Sequence, residues 1–181
     1  MTVNRIAFTG RAGVGKTTAA QYLVANKIFH KIALADKLKE ICKDLWPDQF
    51  KDGNKPRELL QTIGTDRLRA YDPDVWVNYA VRQMVKLDTF DRVIRYTVDD
   101  CRFLNEARIL RKNGFTIVKI DGPQRIAMAG NTSQHVSETE QDGIEPDYIL
   151  PNEGTIGDLH HNILDLIELI KENEWLDEIE P

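Results

Sequence analysis

Short apolar runs alternate along the chain with longer stretches in which apolar residues recur every three or four positions. Ile6-Ala7-Phe8-Thr9 suits a buried strand, and residues 17–25 read as the helix that follows it. Lys31-Ile32-Ala33-Leu34-Ala35 predicts a second strand. Asp36 is then placed to cap a helix reaching about Trp46, where Pro47 stops it. Residues 50–55 are polar around Gly53 and read as a loop. Pro56 opens a helix to about Ile63, which Gly64 ends, and Pro73 opens another through about Leu87. Val93-Ile94-Arg95-Tyr96-Thr97-Val98 is a strand candidate, and residues 105–112 form a helix that closes on Asn113-Gly114. Residues 115–120 are β-branched and extended, and Tyr148-Ile149-Leu150 is a short last strand. The final helix places Leu159, Ile163, Leu166, Ile167 and Ile170 on one face, and residues 172–180 read as its acidic, solvated end.

Strands alternating with helices imply an α/β three-layer sandwich, its mostly parallel sheet covered on both faces. Ligands then bind at the carboxyl ends of the strands. A chain of 181 residues suits one domain spanning residues 1–181. Residues 56–87 form a helical insertion, and residues 122–142, polar and Gly-containing, read as a lid. A hydrophobic content of 41% with 29% charged residues describes an ordinary globular protein. The net charge of −5 argues against a general nucleic-acid binder but leaves room for a local basic pocket. Cys42 and Cys101 are too few for a disulfide scaffold or a C-x-x-C metal site and read as reduced thiols. His30, His160 and His161 show no metal spacing. No apolar run approaches the roughly 20 residues that span a bilayer, so the expectation is a soluble, cytoplasmic protein without membrane association.

The chemistry is concentrated in residues 10–17, G-R-A-G-V-G-K-T, which fit the phosphate-binding pattern G-x-x-x-x-G-K-[ST]. Gly10, Gly13 and Gly15 let the backbone curl, so that N–H groups from Ala12, Val14 and Thr18 and their neighbours point at anionic oxygens. Lys16 reaches the β- and γ-phosphates, and the Thr17 hydroxyl is a ligand for Mg²⁺. The loop lies between a strand and a helix, so the phosphates rest at that helix's N-terminus. ATP with Mg²⁺ is the expected donor. The insertion carries Arg57, Gln61, Gly64, Thr65, Arg67, Arg69 and Trp76, in which arginines clamp a phosphate while Gln and Trp read or stack on a base. Arg125 is suited to a lid that closes over the transferring group. Asp100 ends a strand, where a carboxylate holds Mg²⁺ through water or orients an acceptor; Asp99 offers the same chemistry.

Asp100-Cys101-Arg102-Phe103-Leu104-Asn105-Glu106 resembles the D-x-R-F-x-N-E signature of bacteriophage deoxynucleoside monophosphate kinases. Residues 57–65, R-E-L-L-Q-T-I-G-T, resemble that family's R-x-x-L-Q-x-x-G-T, and Asp72 to Trp76 its D-P-x-x-W stretch. His135-Val136-Ser137-Glu138 resembles its H-x-S-E, and Asn152-Glu153-Gly154 its late N-x-G turn. The resemblance implies a P-loop fold like that of nucleoside monophosphate kinases and transfer of the ATP γ-phosphoryl group to a dNMP. It implies acceptor contacts from Arg57, Gln61, Gly64, Thr65 and Trp76, with Asp100 near the acceptor and the metal. Some relatives carry Lys directly after the first Arg of this segment, where this chain has Glu58. Arg69 or Arg102 would then supply the second phosphate contact. His135 and Glu138 either fix the closed lid or form a structural pair. The small-molecule substrates are a dNMP and ATP, and the apolar face of the last helix packs on its own core or on a second subunit in a homodimer. A P-loop kinase of a small alcohol, of shikimate or gluconate kinase type, and a nucleotide-dependent switch module are the other readings of the phosphate loop.

Overall fold

The computed structural model describes residues 5–26, 29–88, 94–123 and 140–179, with side chains through residue 173. Five strands form one sheet: β1 (Arg5–Thr9), β2 (His30–Lys31), β3 (Tyr96–Val98), β4 (Thr116–Asp121) and β5 (Tyr148–Pro151). The spatial order is β2-β3-β1-β4-β5, and every pairing is parallel. β1 is central, with Ile6 opposite Thr97 on one side and Thr116 on the other. The helices are α1 (Lys16–Ala25), α2 (Asp36–Leu45), α3 (Arg57–Gln61), α4 (Val75–Leu87), α5 (Leu104–Lys112) and α6 (Ile156–Ile179).

Side chains alternate across a strand, and β1 uses both faces. Ile6 and Phe8 pack with Ala19, Ala20 and Leu23 of α1 and with all five predicted apolar positions of α6. Ala7 faces the opposite cluster, with Tyr96, Val98 and Ile117 from the sheet, Trp76, Val77, Ala80 and Met84 from α4, and Ala107 and Leu110 from α5. Burying one such Leu or Ile contributes roughly 1.5–3 kcal/mol, so these two clusters fix the layers far more strongly than local propensity does.

Three element expectations are corrected. The second strand ends at Lys31 instead of Ala35. The Ile32 N–H still reaches Thr97 O at 2.9 Å, but the Leu34 and Ala35 N–H groups turn away to the Asp100 carboxylate. Asp36 does not cap α2; it is the first helical residue, and its carboxylate pairs with Lys39 at 2.7 Å. Gly64 does not end the helix that begins at Arg57. The chain runs on through it as a π-helix, Thr62–Arg69. A Cβ at Gly64 would collide with Leu38 Cδ2, so glycine permits this wide turn to lie against α2. The other boundaries fall within two residues of expectation, or three at the start of β3, and the Phe50 region, expected as loop, lies in a kinked 3₁₀ stretch, Pro47–Gly53.

Candidate active site

A cavity of about 610 Å³ opens at the carboxyl ends of β1, β2 and β3. One wall is the loop joining β1 to α1. Gly10, Gly13 and Gly15 have φ of +124°, +82° and +106°, a region closed to most side chains. At Gly15 a Cβ would also come within 2.6 Å of Asn152 Nδ2. Ala12, Gly13, Gly15, Lys16, Thr17 and Thr18 line the cavity. Gly10 and Val14 serve it indirectly. The Lys16 ammonium donates to the carbonyls of Gly10 and of Arg11, the latter at 2.8 Å. Val14 turns its side chain into the core, while its carbonyl accepts from Asn152 Nδ2 at 2.8 Å. Asn152, buried just after β5, thereby ties the phosphate loop to the far edge of the sheet. The sequence marked that asparagine only as part of a turn.

The opposite wall is the insertion. Arg57, Gln61, Gly64, Thr65, Arg69 and Trp76 all line the same cavity, and the π-helix carries three of them. Such widened turns are frequent at functional sites. Trp76 is buried in the α4 cluster, with its indole N–H donating to Gly64 O at 3.2 Å. Arg69 lines the cavity with its guanidinium already engaged. It pairs with Glu106, donates to Pro73 O at 3.1 Å and lies 4.0 Å from the centroid of the Phe103 ring.

The floor is the segment after β3. Asp100 accepts from the Leu34 and Ala35 N–H groups at 2.9 and 3.0 Å, which pins the start of α2 over the strand ends. Burial pushes the Asp100 carboxyl above its usual range; those two N–H donors oppose the shift, and neighbouring Asp99 reinforces it. Asp99 itself is buried and pairs with Lys31 at 2.6 Å. Glu106 is fully buried. Besides pairing with Arg69, it accepts from the backbone N–H groups of Arg102 and Phe103 at 2.8 and 3.1 Å. Burial raises its carboxyl as well, with the Arg69 charge the chief opposing influence.

In an acidic chain the cavity is basic. Seven cationic side chains line it against three acidic ones. Lys31, Lys39 and Lys55 were not singled out from the sequence, where an isolated lysine looks like solvated surface. Lys55 is exposed on the cavity lining. Desolvation lowers its pKa, and the charges of Lys39, Arg102 and Arg57 lower it further. Glu58 is exposed and outside the cavity lining. Phe103 and Glu106 also line the cavity; both lay within the D-x-R-F-x-N-E motif without an assigned role. Arg125, His135 and Glu138 lie outside the described residues. Among the described residues, no group of three or more His, Cys, Asp and Glu side chains is arranged to hold a metal, and no helix is long and apolar enough to cross a membrane.

Residues 51–163 match the deoxynucleotide monophosphate kinase family. A protein of Acanthamoeba polyphaga mimivirus that carries the name deoxynucleotide monophosphate kinase is 31% identical over 189 residues, covering 90% of this chain and 95% of the viral protein. Among solved structures, a gluconokinase from Sinorhizobium meliloti 1021 aligns with a TM-score of 0.56 at 15% identity, over 97% of each chain. A sugar kinase from Janibacter sp. HTCC2649 aligns with a TM-score of 0.59 at 16% identity, over 92% of this chain and 95% of its own. At that identity the two structures establish a shared fold.

Proposed function

The chain belongs to the deoxynucleotide monophosphate kinase family, and from that premise we propose how its basic cavity divides the work between donor and acceptor. The enzyme is a phosphotransferase that converts a dNMP to a dNDP, with ATP as the proposed donor. The observation that carries the division is that the phosphate loop and the insertion line one cavity, with Asp99 and Asp100 on the floor between them.

On the donor side, Lys16 exchanges its two backbone carbonyls for the β- and γ-phosphate oxygens, and the N–H groups of residues 12–18 receive the rest of the triphosphate. The residues present suit Mg²⁺. Thr17 provides a hard hydroxyl oxygen and Asp100 a carboxylate, both on the cavity wall, and a magnesium ion takes few protein ligands beside phosphates and water. When bound, Mg²⁺ supplies charge neutralisation at the transferring phosphoryl group.

On the acceptor side, Arg57, Arg102, Lys39 and Lys55 receive the monophosphate. Lys55 takes the part that Glu58 cannot, because a bound anion offsets the desolvation and the neighbouring cationic charges that lower its pKa. Gln61 and Thr65 offer hydrogen bonds to sugar or base. A phosphate monoester has a second pKa near ~6, so its oxygens are already largely ionised at neutral pH and no general base is needed. An acceptor oxygen forms the new bond to Pγ as the bond from Pγ to the β,γ-bridging oxygen breaks, leaving ADP. Catalysis is positioning and charge neutralisation. Arg125, in the segment proposed as the lid, joins the transferring phosphates and excludes water.

The test is ADP release from Mg-ATP with each dNMP and ribonucleotide supplied singly, and with gluconate and shikimate as controls. Release that requires a dNMP is expected. Release driven by either control acid, or indifferent to every acceptor, would overturn the assignment. Arg57→Ala should raise KM for the dNMP at least tenfold and leave KM for ATP within about twofold, the loss of one charged phosphate contact. Equal loss for both substrates would remove Arg57 from the acceptor site.

A further inference from the structure

Trp76 and Phe103 are the aromatic side chains of the cavity wall. Their surroundings differ. Trp76 belongs to the apolar cluster of α4, and its N–H is already taken by the Gly64 carbonyl. Phe103 is only 9% exposed, yet it packs into neither apolar cluster of the described residues. What holds its ring is polar. Arg69 lies over one face at 4.0 Å, and Arg69 is itself fixed by Glu106 and the Pro73 carbonyl. The Phe103 backbone is held equally firmly. Its N–H donates to Glu106 Oε2 at 3.1 Å, and its carbonyl accepts from the Ala107 N–H at 3.1 Å. A buried carboxylate thus orders both the main chain under the ring and the cation over it.

An aromatic ring immobilised from behind, outside both apolar clusters and bordering a cavity is pre-organised to meet another flat π-system. We infer that Phe103 is the stacking platform for the nucleobase of the acceptor, and that Glu106 and Arg69 are positioning residues acting through it. The inference rests on the reading of the cavity as a dNMP site. The ordering of the ring is complete before the ligand arrives, so stacking incurs little further loss of freedom. Stacking is tolerant of base identity, because every base presents a π-face. Phe103 therefore contributes affinity across acceptors, and discrimination among bases falls to hydrogen-bonding groups such as Gln61 and Thr65.

The experiment compares the native sequence with Phe103→Leu and Phe103→Tyr, measuring KM for the best dNMP, KM for ATP and cooperative thermal melting. Leucine keeps apolar bulk and removes the ring; tyrosine restores it. Loss of one base–aromatic stack corresponds to roughly a 10- to 100-fold rise in KM for the dNMP. The expected result is a rise of that size in Phe103→Leu, KM for ATP within about twofold, and recovery in Phe103→Tyr. An unchanged KM for the dNMP, or parallel loss for both substrates, overturns the inference. A Phe103→Leu chain that no longer melts cooperatively assigns the ring to the fold and overturns it equally. If the native sequence shows no dNMP-dependent turnover, the assigned activity fails instead, and the two failures are separable.

Discussion

Replacing Arg69 by methionine keeps most of the side chain's apolar stem and removes the cation that faces Glu106. The Arg69 side chain is 12% exposed and that of Glu106 only 1%, so little solvent is available to take over. Glu106 would retain two backbone N–H donors, from Arg102 and Phe103, but no counter-charge from Arg69. Breaking a buried pair from one side costs about 3–5 kcal/mol, a large share of the roughly 5–15 kcal/mol that holds a domain folded. The pH dependence identifies the cause. Burial already raises the Glu106 carboxyl, and loss of Arg69 removes the main opposing influence, so the folded-state pKa rises further. A carboxyl raised in the folded state binds a proton there that the unfolded chain releases; stability therefore falls as pH increases through the folded pKa and returns as pH decreases toward the ordinary carboxylate range. Urea denaturation should show the Arg69→Met deficit in full near pH ~8 and much reduced near pH ~5. Adding Glu106→Gln to Arg69→Met removes the buried charge, recovers part of the deficit at the higher pH and flattens its pH dependence. A deficit below about 1 kcal/mol, or one indifferent to pH, would refute the placement of Glu106 as a buried, arginine-dependent carboxylate.

Gly15→Ala places a Cβ within 2.6 Å of Asn152 Nδ2 at a φ of +106°, so calorimetry should show ATP affinity reduced at least tenfold in a chain that still folds. Lys16→Ala should lower turnover by orders of magnitude in the ADP-release assay, with near-normal turnover removing the phosphate loop from the mechanism. Because Lys55 loses its proton at lower pH than an ordinary lysine, dNMP affinity should weaken as pH climbs through that lowered pKa; Lys55→Met should bind less tightly and lack this alkaline limb. Gly64→Ala overpacks the contact with Leu38 and should cost about 1–3 kcal/mol in denaturant melts, with Leu38→Ala recovering part of the loss.

The parallel sheet covered by helices rests on signals visible in the chain, since apolar runs alternate with helical periods; the strand order β2-β3-β1-β4-β5 came only from the structure. The phosphate-loop wall of the cavity was equally visible, because such a loop is contiguous and its residue types follow from local backbone geometry. What escaped depends on partners distant in sequence. Leu34 and Ala35 leave strand pairing because their N–H groups find Asp100, more than 60 positions away. Gly64 reads locally as a terminator, yet its lack of a side chain serves contact with Leu38. Glu106 is indistinguishable from a solvated helical glutamate until Arg69 and the Arg102–Phe103 backbone are brought to it. Trp76 drew notice as an aromatic in the insertion, but its packing in the apolar cluster of α4 and the place of Phe103 beside it on the cavity wall emerge only from the fold.

The central claim is that the phosphoryl group lost by ATP arrives on a dNMP. The most direct measurement follows γ-labelled ATP, incubated with the enzyme, Mg²⁺ and each dNMP, and separates dNDP from inorganic phosphate. Label in dNDP, stoichiometric with ADP and dependent on Lys16, is the predicted result. Label found only in inorganic phosphate, at a rate no dNMP alters, would contradict the claim and identify the cavity as that of a hydrolase or switch.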